Sequence, residues 1–512
     1  MPKKTNYSNL ITVFKKELFT YHPETELIKI LGDSWCIRDA IEGVQIFGGT
    51  GSGKTSGSGM VLAKTYIYNG FGGLVLTVKA GDCEMWQQYT KSLGKENKLV
   101  VVSPSTEQRF NFLNYLVKEE YNTVNIAHVF LSALQKFNEG DYWQNAMEQL
   151  IKNTICVLVL ANGKLSIQEM YRLVMTAPRN PAEANMIFDP ESKETYKDEK
   201  GKEQKVTTNQ KYFRDIVAKI NTKINPNEDV EISQYQKNLI SEYKDLSLNY
   251  WSAEFPQMDS EPRSSIISMF TSLADNLLRG ELKDILSSDL SDTFYPEMTF
   301  DGSIIVLDLN IKQFRKTGKM AQLIFKTVFQ MAVESKRENH PNKDTMPPIF
   351  LWIDEAQFFL TQDDVLFQTT ARSSKVCSVY LTQNYSNYLA FVGSNREKAT
   401  VDSFLAVLQT KFFHCQSDPE TNNEYVTKLL GKDYVTKQSE NINRSDNPTN
   451  SISVQSVLDY KVLPWELDQL AKGGKANNLI VEAFVYQSGR KWSGSNSNFG
   501  LVSFLQEGGV EK

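Results

Sequence analysis

The chain has 512 residues, enough for two to four domains of roughly 100 to 200 residues each, so a small stapled module is excluded. Its 56 lysines and arginines against 61 aspartates and glutamates leave a formal charge of −5, which excludes a wholly basic nucleic-acid coat or a polybasic membrane anchor. With 41% hydrophobic and 23% charged residues the composition is that of a folded chain rather than a disordered one.

From the N-terminus, Met1-Pro2-Lys3-Lys4-Thr5-Asn6-Tyr7 is followed by no apolar stretch of signal-peptide length. The longest apolar run, 155–161, is far short of the roughly 18 to 20 residues of a membrane span, so no intrinsic span is expected and the expected location is the cytoplasm. Apolar runs bounded by glycines at 43–47, 73–78, 99–102, 304–309, 349–353 and 378–381 predict buried parallel strands. A helix predicted over 55–68 gives the strand-then-helix alternation of an α/β sheet covered on both faces. From about 116 to 298 the pattern turns helical, as in Tyr142-Trp143-Gln144-Asn145-Ala146-Met147, and predicts an all-α domain inserted into the α/β core. The expected division is therefore 1–115 for the first part of the nucleotide-binding domain, 116–298 for the insertion and 299–512 for the remainder. Two polar stretches, 189–210 and 437–451, predict mobile loops. The five cysteines and four histidines are scattered without metal-ligand spacing, which predicts reduced core thiols and ordinary imidazoles.

The strongest signal for chemistry is Gly48-Gly49-Thr50-Gly51-Ser52-Gly53-Lys54-Thr55, which fits G-x-x-x-x-G-K-[ST] after a strand and before a helix. Glycines let successive N–H groups face the phosphates of ATP, and the following helix adds its positive dipole end. Lys54 is expected to reach the β and γ phosphates, and Thr55 to offer a hard oxygen to Mg²⁺. A second signal, Ile349-Phe350-Leu351-Trp352-Ile353-Asp354-Glu355, is an apolar strand ending in two carboxylates and resembles a Walker B motif. Asp354 is expected in the Mg²⁺ shell, and Glu355 is expected to orient and deprotonate the attacking water. Gln383, after the strand Ser378-Val379-Tyr380-Leu381-Thr382, is a candidate γ-phosphate sensor, with a backbone-bonded glutamine as the competing reading.

Together these motifs resemble the type IV coupling proteins, DNA-transfer ATPases within the wider FtsK/HerA-like class of RecA-fold DNA pumps. The resemblance extends to Arg109-Phe110-Asn111-Phe112-Leu113-Asn114-Tyr115, to Asp354-Glu355-Ala356 and to Phe413-His414-Cys415-Gln416-Ser417-Asp418-Pro419-Glu420-Thr421. It implies a RecA-like P-loop NTPase core with a parallel-rich central sheet and an inserted all-α domain, ATP and Mg²⁺ as cofactors, and a homo-hexameric ring that moves DNA of unspecified strandedness. It further implies sites between subunits completed by an arginine from the neighbour, the position matched best by Arg372, with Lys375 in reserve. Relaxase or secretion-channel proteins follow as candidate partners.

Two departures stand out. Thr77-Val78-Lys79-Ala80-Gly81-Asp82 replaces the family's aspartate before P-K-G-E, so no role is carried over to that loop. The family's N-terminal membrane helices are missing from the sequence, which makes a soluble variant recruited to the inner face of the membrane by a partner the expectation. For DNA contact the candidates are a basic loop, Lys312-Gln313-Phe314-Arg315-Lys316-Thr317-Gly318-Lys319, and Asn384-Tyr385-Ser386-Asn387-Tyr388, each matched by a plain solvated-loop or core-packing reading. Two rival functions stay open: a HerA-like pump in DNA processing or defence, and an ATP-switched protein adaptor that does not translocate and needs neither Glu355 nor Arg372.

Overall fold

A computed structural model describes residues 21–133, 142–189, 195–197, 201–224, 231–287, 291–392, 397–443 and 449–507. The strands in chain order are β1 (Glu26–Ile30), β2 (Asp33–Cys36), β3 (Val44–Phe47), β4 (Gly72–Leu76), β5 (Leu99–Val102), β6 (Thr195–Lys197), β7 (Glu203–Lys205), β8 (Ile304–Leu307), β9 (Ile349–Ile353), β10 (Val376–Thr382), β11 (Thr410–His414), β12 (Lys432–Asn443), β13 (Thr449–Tyr460), β14 (Ile480–Gln487) and β15 (Phe499–Leu505). The chain forms two compact units, one of 1–100, 297–306 and 330–512, the other of 101–296 and 307–329. The helical unit thus takes in 101–115 and 307–329, which lie outside the 116–298 insertion expected from the sequence.

The first unit is built on a nine-stranded sheet in the order β15-β14-β11-β3-β10-β9-β4-β8-β5. The five strands β11, β3, β10, β9 and β4 run parallel, and β14 and β15 extend the sheet antiparallel. Every residue of β3, β4, β9 and β10 is buried, as strands covered on both faces must be. Around the sheet Phe47 stacks on Phe413 at 5.6 Å, and Trp86, from the helix Gly81–Ser92, stacks on Phe350 of β9 at 5.5 Å. The strand carrying the phosphate loop, β3, is separated from the carboxylate strand β9 by β10, so Gln383 emerges between them.

The second unit is helical. Its longest uninterrupted helix, Tyr142–Asn162, buries Leu150, Ile151 and the run from Thr154 to Ala161 against the helices Thr123–Ser132, Thr208–Ile224 and Ser260–Leu278. Several helices begin as their sequences dictate: the side chains of Asn111, Asn122, Ser166, Asn180 and Ser233 each accept from a backbone N–H in the first turn. Among the described residues no single helix is long and apolar enough to cross a membrane; Tyr142–Asn162 and Ile167–Thr176 have the apolar length together but bend by 109°.

Three polar segments depart from expectation. Residues 195–197 and 203–205 of the predicted loop 189–210 pair as the antiparallel strands β6 and β7, and the helix from Thr208 takes its end. Of the predicted loop 437–451, residues 437–443 and 449–451 belong to an antiparallel ribbon of two twelve-residue strands, β12 and β13, which among the described residues pair with each other alone. Parts of both loops lie outside the described residues. The ribbon was hidden because its strands are rich in Thr, Ser, Gln and Asn; of its few apolar residues, Tyr434, Ile452, Val454 and Leu458 share one face and are exposed. The predicted basic loop at Lys312 is the start of the helix Ile311–Ala332, opened by Asn310, whose side chain accepts from Gln313 N at 3.0 Å. Arg315, at φ 51°, interrupts that helix without ending it. Tyr385 and Tyr388 are buried, and the Tyr388 hydroxyl donates to Gln45 Oε1 at 2.9 Å.

Candidate nucleotide site

Four parallel strands deliver the candidate residues to one edge of the sheet. Leu76 pairs with Ile353, Ile353 with Tyr380, and Thr382 with Phe47, so the segments just beyond these pairs, at 77–82, 354–357, 383 and 48–55, converge. The phosphate loop follows β3, with Gly48 N donating to Thr382 O at 3.2 Å and Gly49 N to Cys415 O at 3.0 Å. A side chain at Gly48 would meet Ser52 Oγ at 2.3 Å, and one at Gly53, where φ is +85°, would meet the Val481 methyls at 2.6 and 2.7 Å. After Lys54 the chain makes a wide turn over Thr55–Gly59, in which Gly59 N reaches back to Lys54 O at 2.9 Å, before the regular helix Met60–Tyr68.

Glu355 is the hub. Its backbone is left-handed at φ 50°, a strain that marks functional turns, and its N–H donates to Asp354 Oδ1 at 2.8 Å. Its carboxylate accepts from Lys54 Nζ at 3.4 Å, Lys79 Nζ at 3.3 Å, Gln383 Nε2 at 3.2 Å and Gln357 Nε2 at 3.1 Å. Gln357 is itself oriented by Thr382, whose hydroxyl donates to its Oε1 at 2.8 Å. Burial works against the charge of Glu355, yet Lys54, Gln357, Lys79 and Gln383 together hold its carboxyl below the usual range. For Asp354 burial wins and raises the carboxyl, although Lys54 and Lys79 oppose it. Lys79 is likewise desolvated, but Asp354, Glu355 and Asp82 keep its ammonium above the ordinary value.

These groups line a cavity of about 500 Å³, bounded by Gly51, Lys54, Ser56, Lys79, Gln383 and Tyr89. That size suits a small ligand. Two features fit a phosphate group. The loop leaves no room for a Cβ at Gly48, and the buried Ser52 Oγ has no hydrogen-bond partner among the described residues. Thr55 and Asp354 offer a hydroxyl and a carboxylate, the hard oxygens that Mg²⁺ prefers.

The structure therefore brings Lys54, Asp354, Glu355, Gln383 and the loop Gly48, Gly49, Thr50, Gly51, Ser52, Gly53 and Thr55 to one place. It does not bring Arg372 there. Arg372 lies before the start of β10, 61% exposed, paired with Glu42 at 3.4 Å, and β10 separates it from Gln383 by seven residues, ~23 Å of extended chain. Lys375 sits in the same turn and donates to Asp344 O at 2.5 Å. Sequence reasoning missed Lys79, Gln357 and the pair Ser58–His414, 2.7 Å apart behind the loop. Only the lysine in the glycine-containing turn after β4 carried a visible signal.

The family described as type IV secretory system conjugative DNA transfer matches residues 3–476. The chain belongs to that family. Among solved structures it is similar to the bacterial conjugative coupling protein TrwBdeltaN70 in an unbound form, at 15% identity and a TM-score of 0.60, over 96% of this chain and 90% of that one. It is also similar to TrwB in complex with the non-hydrolysable ATP analogue ADPNP (15% identity, TM-score 0.57, 97% and 91% covered) and with ADP and Mg²⁺ (14%, 0.56, 96% and 90%). At these identities the likeness is one of fold: a RecA-like P-loop core with a parallel-rich sheet and an all-α domain. No functionally curated protein sequence matches the chain.

Proposed function

We propose that this conjugative-transfer family member is a Mg²⁺-dependent ATPase that couples hydrolysis to movement of DNA during conjugative or type IV secretion transfer. The observation that carries the reading is the convergence of Lys54, Lys79 and Gln383 on Glu355 beside a glycine loop with room for phosphates. Bound Mg²⁺ would neutralise the charge of the β and γ phosphates, held by Thr55 and Asp354. Lys54 exchanges its carboxylate partner for phosphate oxygens. Glu355, ionised and held by two glutamine amides, orients a water and takes its proton. Gln383, 3.4 Å from Thr50 Oγ1 and within hydrogen-bond reach of Glu355, lies between loop and base and can register the γ-phosphate. Arg372 acts on a neighbouring copy in a homo-hexameric ring, its exposure leaving it free to do so, and supplies positive charge to the transferring phosphoryl group. Relaxase and channel proteins are the partners this role calls for, at the inner face of the membrane.

The test is steady-state ATP hydrolysis at stated low salt, with and without single- and double-stranded DNA. Turnover stimulated by DNA and abolished in Lys54→Ala and Glu355→Gln supports the motor. Tight ATP binding with no turnover under any DNA condition would turn the reading toward an ATP-switched adaptor.

A further inference from the structure

We propose that Lys79 is a positioning residue that takes over from Lys54 as counter-ion of Glu355 when Lys54 engages the phosphates. The inference rests on the ATPase reading above. Both ammonium groups contact the same oxygen, Glu355 Oε1, Lys54 at 3.4 Å and Lys79 at 3.3 Å. They reach it from opposite sides of the sheet order: Lys54 follows β3, two strands away from β9, whereas Lys79 follows β4, the direct neighbour of β9. Lys54 sits in the loop position that serves the phosphates, and an ammonium drawn to phosphate oxygens leaves less of its charge for the carboxylate. Without Lys79, Glu355 would then be a buried carboxylate, 3% exposed, whose remaining hydrogen-bond donors are the neutral amides of Gln357 and Gln383. Amides orient a carboxylate but do not neutralise it, and a buried charge without a counter-ion is costly.

Lys79 is built to stay. Asp82 Oδ2 accepts from Val78 N at 3.0 Å and from Lys79 N at 2.9 Å, which fixes the turn that aims the lysine. The Lys79 side chain is 43% exposed against 7% for Lys54, so it approaches along the open side of the cavity, while Lys54 lies beneath the loop. Although 77–82 lacks the family's aspartate, it has a lysine where the site uses a cation.

The experiment compares wild type with Lys79→Met, Lys79→Gln and Lys79→Arg, measuring kcat, KM and the affinity for a fluorescent non-hydrolysable ATP analogue, with thermal unfolding as a check on the fold. The expected result is a fall in kcat of about 10-fold or more in Lys79→Met and Lys79→Gln, analogue affinity within about 3-fold of wild type, and recovery of most of the rate in Lys79→Arg. An analogue affinity that weakens in step with kcat would overturn the inference and make Lys79 a phosphate ligand. A Lys79→Gln chain as fast as wild type would overturn it too, because a hydrogen bond without charge would then suffice. Failure of the underlying reading looks different: wild type and Lys54→Ala would be alike in binding no analogue.

Discussion

Ser58 Oγ and His414 Nε2 meet at 2.7 Å behind the phosphate loop, joining residues 356 positions apart in the chain. The other ring nitrogen, Nδ1, lies 3.0 Å from Glu482 O and donates to that carbonyl of β14; burial disfavours the charged ring, and in the neutral form Nε2 accepts from the serine hydroxyl. It ties the wide turn after Lys54 to the antiparallel end of the sheet.

Burial, reinforced by the nearby Lys54 charge, lowers the His414 pKa from 6.5 to about 3. A histidine whose folded pKa is depressed favours the folded state above its unfolded pKa and gives that stability up as the pH falls toward the folded value. The unfolding temperature of wild type should therefore drop as the pH is lowered from about 6.5 toward 4. In His414→Gln this part of the drop should vanish, while stability at about pH 7.5 falls by roughly 1–3 kcal/mol from imperfectly paired buried partners. Parallel pH curves for the two proteins would contradict this assignment.

Gly53 combines a left-handed backbone with a Cβ position 2.6 Å from a Val481 methyl. Gly53→Ala should weaken binding of an ATP analogue and lower stability through both effects. Adding Val481→Ala should relieve the collision but leave a conformational cost of about 1–2 kcal/mol. A double-mutant cycle by denaturant unfolding measures the coupling, and strict additivity would show that the collision is not felt.

Glu355→Gln removes the charge that holds Lys54 at 3.4 Å. Freed from that partner, Lys54 should bind an ATP analogue several-fold more tightly, while turnover falls by about 100-fold or more for want of a base. Titration with a fluorescent analogue alongside single-turnover hydrolysis separates the two effects.

Arg372 pairs only with Glu42 among the ion pairs seen and is largely exposed, so Arg372→Ala should leave the unfolding temperature almost unchanged. If it serves a neighbour, Arg372→Ala and Glu355→Gln chains, each inactive alone, should regain turnover when mixed, because some sites then combine an intact base with an intact arginine. A mixture no more active than its components would place the arginine outside the reaction.

Much of this was legible in the sequence, for identifiable reasons. The residues 44–47, 349–353 and 376–382 are mostly apolar because both faces of their strands are covered, and the runs end at Gly48, Asp354 and Gln383, where polar chemistry or a turn marks the sheet edge. Gln383 and Glu355 lie within two residues of those ends and Lys54 closes the loop that starts at one, so finding the strands found the site. The misses have a common physical cause, since they depend on what lies opposite. Lys79 and His414 acquire their roles from Glu355 and Ser58, which no local pattern connects to them. The stretch starting at Lys312 looked like a loop because Gly318 and four basic residues argue against a core helix, yet Gly318 is there to let the helix lie on Leu309, whose carbonyl oxygen would be 2.4 Å from a Cβ. The ribbon β12–β13 escaped because exposed strands need no apolar alternation.

The order of strands in the sheet also has a consequence for the birth of the protein. The strands β3 and β4 leave the ribosome early, but they are not neighbours: β3 waits for β10 and β11, and β4 for β8 and β9. Lys54 and Glu355 are separated by 301 positions, and at roughly 5–20 residues per second their strands are synthesised about 15 to 60 s apart. Until β8 is made β4 has no strand beside it, and until β10 is made neither has β3, so two strands that are wholly buried in the finished sheet wait with no sheet to join. The nascent chain must therefore keep them from pairing with other nascent chains, and synthesis slowed within the helical unit lengthens the exposure.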